Sequence, residues 1–225
     1  NWPNVANINP AAFVDALFQT YLYEGNGSNQ TITNGIDLSN KGGLVWIKNR
    51  DDTENHGLVD TEVKGLLFSN LTNAANTNIT HTFNSNGFTV GSSGSMNDSN
   101  DSHVSWTFRK QPKFFDVVVA NSISGSGNTI SHSLGCDVGM IIAKKTNGTD
   151  NWYVWHRGIN TGSMYLNGTN ATGSITTEYV FGNGSSVVQP TSTQFTFGAP
   201  TSGNYVFYLF AHNNDDGGFG EPGDQ

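Results

Sequence analysis

The chain has 225 residues, a formal net charge of −8 and only 12% charged residues. Its 10 Lys and Arg, set against 18 Asp and Glu, form no basic cluster. That excludes a protein that tracks a nucleic-acid backbone, and the acidity opposes binding to an anionic membrane. No apolar run approaches the ~20 residues of a membrane-spanning helix. Five Trp, seven Tyr and fourteen Phe supply a sizeable core, so the chain is not disordered. A surface rich in Asn, Ser and Thr but poor in Lys and Glu suits an extracellular or virion β-protein. Cys136 stands alone, which excludes an internal disulfide framework and reads as a small buried hydrophobe.

The chain begins at Asn1 without Met or a signal peptide and reads as a processed product or part of something longer. A short helix is expected first, with Asn9 as cap, Pro10 at its first position, and Phe13, Val14, Leu17 and Phe18 on one stripe. It would anchor onto a neighbour or lie as a lid over one end of the fold. Strand-length apolar runs follow at Leu44 to Ile47, Val117 to Val119 and Met140 to Ala143, each suited to a central strand covered on both faces. Val104-Ser105-Trp106-Thr107-Phe108 alternates and reads as a half-buried strand. Turn signals such as Asn34-Gly35, Asn86-Gly87, Asn147-Gly148 and Asn183-Gly184 punctuate the runs. The pattern predicts an all-β, antiparallel β-sandwich or jelly roll. The tail from Asp215 reads as a flexible acidic and Gly-rich exit.

The chain also repeats itself. Gly43-Leu44-Val45-Trp46-Ile47-Lys48 returns about 96 residues later as Gly139-Met140-Ile141-Ile142-Ala143-Lys144. Thr31-Ile32 answers to Thr129-Ile130, Phe68 to Tyr165, Ile79-Thr80 to Ile175-Thr176, Phe88 to Phe195 and Val104 to Val206. The unit, about 95 to 105 residues, is too long for a solenoid repeat and has the size of a small β-domain. The expected organisation is a lead over 1–17, repeat one over 18–111, repeat two over 112–214 and a tail over 215–225, the repeats packed with pseudo-two-fold symmetry.

Chemistry is sparse. Nucleophile elbow, P-loop, Rossmann glycines and zinc-protease helix are absent, and the six His lack zinc spacing, so a non-enzymatic protein is expected. Glu24, Asp37, Asp60, Glu62, Asp137 and Glu178 qualify for carboxylate-pair hydrolysis by type alone. Asp51, Asp52, Glu54 and Asn55 form an oxygen-rich loop of the kind that ligates calcium, as do Asp98, Asn100 and Asp101, and Asn213 to Asp216. Asx turns form such loops without metal, and no cofactor is required. Trp152, Tyr153 and Trp155 share one strand, with Tyr153 read as pointing opposite to the two tryptophans. Together with His156 they are the candidate glycan surface, since flat apolar faces stack on sugar rings. The alternative is that the tryptophans fill the core.

The stretch Tyr23 to Asp60, "YEGNGSNQTITNG…GGLVWIKNRDDTENHGLVD", resembles a repeat of virion and tail-fibre-type proteins of marine bacteriophages, notably those of cyanobacteria. "TISHSLGCDVGMIIAKKTNGTDNWYVWHRG" (129–158), "MYLNGTNA" (164–171) and "YVFYLFAH" (205–212) fit the same pattern, and the likeness spans about residues 18 to 215. The resemblance implies a structural or adhesive module of concanavalin-like β-sandwich type on a virion surface, with no catalytic residues to carry over. The implied partners are copies of itself (a trimer in a fibre), other virion proteins and host-surface glycans. Other readings are a lectin-like module of a secreted or cell-surface protein and a self-assembling filament subunit. His56-Gly57 stands where the second copy has Trp152-Tyr153, so the copies are expected to bind differently.

Overall fold

A computed structural model describes residues 14–159, 163–171 and 180–212. The elements in order are α1 (Val14–Leu17), β1 (Phe18–Glu24), β2 (Gln30–Thr33), β3 (Gly43–Asn49), β4 (Gly57–Asp60), β5 (Leu67–Phe68), β6 (His81–Asn84), β7 (Gly87–Val90), α2 (Gly94–Asn97), β8 (Ser102–Arg109), β9 (Phe115–Ser131), β10 (Val138–Lys145), β11 (Trp152–His156), β12 (Met164–Tyr165) and β13 (Gln194–Ala211). Every described pairing is antiparallel.

Two five-stranded sheets carry the fold, ordered β1-β8-β3-β4-β5 and β9-β13-β10-β11-β12. Position by position they are the same sheet built twice. Trp46 pairs with Trp106 and Leu58 in the first, and Ile142 with Tyr208 and Val154 in the second. Ile32 pairs with Phe88 as Ile130 pairs with Phe195. The internal repeat read from the sequence is therefore a repeat of register. Its Ile175-Thr176 correspondence lies outside the described residues.

The sheets stack in layers because each central strand is apolar on both faces. In β3, Leu44 and Trp46 face the second five-stranded sheet, meeting Phe115, Ile142, Trp152 and Tyr208. Val45 and Ile47 face the small outer sheet β2-β7-β6, meeting Ile32, Phe88 and Val90. In β10, Ile141 and Ala143 face a third apolar layer with Tyr153, Trp155 and Phe207. That layer is closed by the far ends of β9 and β13, which pass three register shifts between Phe197 and Tyr205 and fold back until Phe195 lies 4.9 Å from Phe207. Burying both faces of each large sheet removes most of the aromatic surface from water, the dominant favourable term in folding.

Several expectations change. Phe18 opens β1 rather than continuing a helix, and α1 is one turn whose Leu17 is buried between the sheets. Asn9, Pro10 and Phe13 lie outside the described residues, as does the tail. Val117 to Val119 lie in β9, at the edge of their sheet rather than its centre. The strand β8 is not half-buried with its polar side outward. Ser105 and Thr107 are fully buried, and Thr107 Oγ1 accepts from the buried Asn34 Nδ2 at 2.9 Å, while Trp106 and Phe108 stay partly exposed. The outer sheet covers the polar face, a fact that alternation alone does not contain.

The halves join through a tight turn at Gln111–Phe114, where Phe115 N donates to Gln111 O at 3.1 Å. Their packing is staggered rather than two-fold. Tyr208 of the second half donates to Asp60 of the first at 2.8 Å, but His156, the counterpart of Asp60, is exposed. Lys144 Nζ reaches across to Thr72 O at 3.0 Å, whereas its counterpart Lys48 bonds within its own half to Asn49 O and Asp52 O.

Candidate functional site

The aromatic strand is core, not platform. Trp152, Tyr153 and Trp155 are all buried, and period two places Trp152 and Trp155 on opposite faces. Trp152 lies between the two large sheets, nearly parallel to Tyr208 at 6.4 Å, and its Nε1 donates to Phe68 O at 2.9 Å and Leu71 O at 3.0 Å of the first half. Tyr153 and Trp155 line the third apolar layer. Tyr153 Oη donates to Asp150 Oδ1 at 2.7 Å, while Tyr205 Oη and Thr201 Oγ1 donate to Asp150 Oδ2 at 2.9 and 2.6 Å. Burial pushes the Asp150 carboxyl up, and these hydrogen bonds outweigh it to hold the pKa below the usual range. Of the proposed glycan residues only His156 is at the surface, its Nδ1 accepting from Gly158 N at 3.1 Å.

Tyr208, Asp60 and Lys144 are the polar pins between the halves. Asp60 Oδ1 accepts from Glu62 N and Val63 N at 2.9 and 2.8 Å. Burial raises the Asp60 carboxyl and the Tyr208 phenol, and lowers the Lys144 ammonium to about 8. The sequence marks Asp60 as a carboxylate by type only. The signal that would have found the pin is that Asp60 ends an otherwise apolar strand, Gly57–Asp60, buried along its whole length.

The oxygen-rich loop does not converge. Asp51 Oδ2 accepts from Ser102 N at 2.6 Å, which holds its carboxyl below the usual range. Asp52 Oδ1 accepts from Thr53 N at 2.6 Å, Glu54 Oε2 from Ser95 Oγ at 3.0 Å, and Asn55 Oδ1 from Asn70 Nδ2 at 2.8 Å. In the second loop Asp101 Oδ2 accepts from Asn49 Nδ2 at 2.7 Å and Asp98 Oδ1 from Ser99 N at 2.9 Å. These oxygens tie turns together. Among the described residues no three His, Cys, Asp or Glu side chains are grouped to hold a metal ion. Asn213 to Asp216 and Glu178 lie outside the described residues. Cys136 is half-buried, and burial pushes its thiol up.

A groove of about 660 Å³ opens on the outer side of the first half. The β2–β3 loop supplies Ser39, Asn40 and Lys41, the turn after β4 supplies Thr61, Glu62 and Lys64, and Ile79, His81, Thr82 and Phe83 come from β6 and its approach. Lys64 holds a left-handed backbone, with φ of 55°. His81 meets Phe83 edge-on at 5.3 Å, and burial lowers its pKa, so the imidazole is neutral at pH 7. Its Nδ1 is buried without a hydrogen-bond partner among the described residues. Glu62 pairs with Lys110 at 3.1 Å, whereas Lys41 and Lys64 enter no ion pair among the described residues. An apolar floor, hydroxyl and amide rims and two ammonium groups make a surface suited to a polar, anionic ligand. Sequence reasoning missed it because its residues come from three separate segments, none of which carries a motif.

Fold and groove together define a duplicated, layered antiparallel β-sandwich protein. The chain belongs to the family described as Domain of unknown function (DUF7483), which it matches over residues 15–221. No curated protein and no solved structure matches it.

Proposed function

We propose that the chain is a structural and adhesive module of a bacteriophage virion surface, in a tail fibre, tail tip or shell, acting by non-covalent recognition. The groove of the first half is its recognition surface, and acidic saccharides of the host envelope are its ligand class. Resemblance of the repeated blocks to tail-fibre-type proteins supports the virion part. One observation carries the adhesive part: on a chain of net charge −8, Lys41 and Lys64, which enter no ion pair among the described residues, line one groove together with Ile79, His81 and Phe83. Sugar rings stack on such a floor, and carboxylate or sulfate groups pair with the ammonium rim.

Two measurements test this. On a glycan array the chain retains acidic glycans in a salt-dependent manner, and Lys41→Glu with Lys64→Glu lowers retention at least tenfold. Failure to bind any acidic glycan, or binding indifferent to the double substitution, refutes the groove assignment. Separately, antibodies to the chain label particles in electron micrographs of purified virions. Label confined to soluble protein or to cell surfaces favours the secreted lectin-like reading instead.

A further inference from the structure

The edges of the large sheets are not equivalent. The strands β5 and β12 are two residues long and offer little to pair with. At the β9 edge the chain's own side chains intervene: Lys110 Nζ donates to Val117 O at 3.1 Å, and Asp116 Oδ1 accepts from Val117 N at 2.9 Å. Among the described residues the strand β1 has one such contact, at its end, where Gln30 Nε2 donates to Glu24 O at 2.9 Å. It runs seven residues in unbroken register with β8, without bulge, Pro or Lys, and carries one charge, Glu24, at its end. Short of Glu24, the alternate N–H and C=O groups along its free side pair with no other strand among the described residues.

Exposure points to the same strand. Among the described residues the exposed large apolar side chains are Val14 (52%), Tyr21 (38%), Leu22 (59%) and Leu166 (37%), so three of these four lie on α1 and β1. The strands β3 and β8 contact β9, while the exposed Tyr21 and Leu22 lie further along β1 than Phe18. Leu22 shares a face with Phe18, which is packed between the sheets, yet Leu22 itself stands in solvent.

We infer that β1 pairs with β1 of a second copy, antiparallel across a two-fold axis at Tyr21, joining two five-stranded sheets into one of ten strands. In this register Tyr21 meets Tyr21, Thr20 of one copy lies opposite Leu22 of the other, and Phe18 lies opposite Glu24. Every residue of the strand is used, and the lone charge never faces its equal, which would be destabilising. A copy of the same strand is thus a complementary occupant. Because the β9 edge is guarded at Val117, β1 does not pair with it there head to tail, and the contact closes at two copies rather than growing into a filament.

Sedimentation of the 225-residue chain at micromolar concentration gives twice the 24.2 kDa chain mass. Leu22→Lys sets like charges diagonally across the pair on one face and raises the dimer dissociation constant at least tenfold. Its circular dichroism stays at the wild-type value, because Leu22 is exposed in the single copy, while its melting midpoint falls towards that of the single copy. In a Cys136→Ser background, Tyr21→Cys oxidises to a disulfide-linked dimer, since opposed strand residues fall within disulfide reach. Gln19→Cys does not, because the two copies of residue 19 lie far apart along the strands. A wild-type monomer, a wild-type trimer, a Leu22→Lys dimer of undiminished affinity, or equal cross-linking at positions 19 and 21 would each overturn the inference.

Discussion

In the first half the chain breaks twice where the second half runs on. Between β1 and β2 it turns out through residues 25–29, and between β7 and β8 it passes through α2. The counterparts in the second half are the unbroken strands β9 and β13, of 17 and 18 residues. The breaks are clasped by one side chain: the buried Asn97 accepts from Asn26 N at 2.9 Å and donates to Gly91 O at 3.0 Å. Close packing there also excludes any side chain at Gly25, whose Cβ would lie 2.0 Å from Asp98 O. The second half instead bends one ribbon over itself and fills the fold with aromatic rings. One scaffold with one set of registers has thus been put to two uses: the second half grips, while the first keeps a separate outer sheet and its groove open to solvent.

Matched substitutions probe that division. The largest contrast is at Trp152 and its counterpart His56. Trp152→Ala removes a buried ring and leaves Phe68 O and Leu71 O unbonded, so urea titration followed by fluorescence shows a loss of about 3–5 kcal/mol. His56→Ala costs less than about 1 kcal/mol. Equal losses would mean that the interface between halves is not held from the second side. The paired glycines Gly43 and Gly139 come next. A Cβ at Gly43 would meet Phe108 O at 2.1 Å, and one at Gly139 would meet Ala211 O at 2.9 Å. Gly43→Ala therefore costs about 2–3 kcal/mol and Gly139→Ala about 1 kcal/mol, as overpacking penalties run. The reverse order would show the second strand to be the tighter one.

The last contrast is in pH dependence. Burial lowers Lys144 to about 8 in the folded chain, against an ordinary value of 10.5. Between those values the unfolded chain binds the proton and the folded chain does not, so stability rises from pH 8 towards pH 10, by at most about 1.4 kcal/mol per pH unit. Above pH 10 the buried tyrosines, whose pKa values are raised, work the other way. Lys144→Met flattens the rise in denaturation midpoints across that interval, while Lys48→Met leaves it in place. An unchanged slope in Lys144→Met would show that the cross-half lysine is not the titrating group.

Much of the fold was legible in the chain. Repetition at about 96 residues carried the strand correspondence, including Gly43 with Gly139 and Phe68 with Tyr165, because period-two patterning constrains register directly. The site was not. Trp152, Tyr153 and Trp155 read either as a ligand surface or as core, since an aromatic strand reads alike whether a sugar or a second sheet covers it. Ser105 and Thr107 looked solvent-facing for the same reason. The groove gathers Lys41, Lys64 and His81 from three segments whose meeting depends on where the outer sheet sits.

What the sequence determined by itself is therefore the all-β character, the two copies and the pairing of residues within each. Alternating side chains and turn residues act over a few positions and need no knowledge of the rest of the molecule. Only the tertiary structure decided which faces were covered. The two large sheets meet out of step, so equivalent positions such as Lys48 and Lys144, or Asp60 and His156, end in different surroundings. Burial is a property of what lies opposite a residue, and no local pattern encodes the offset between two stacked bodies.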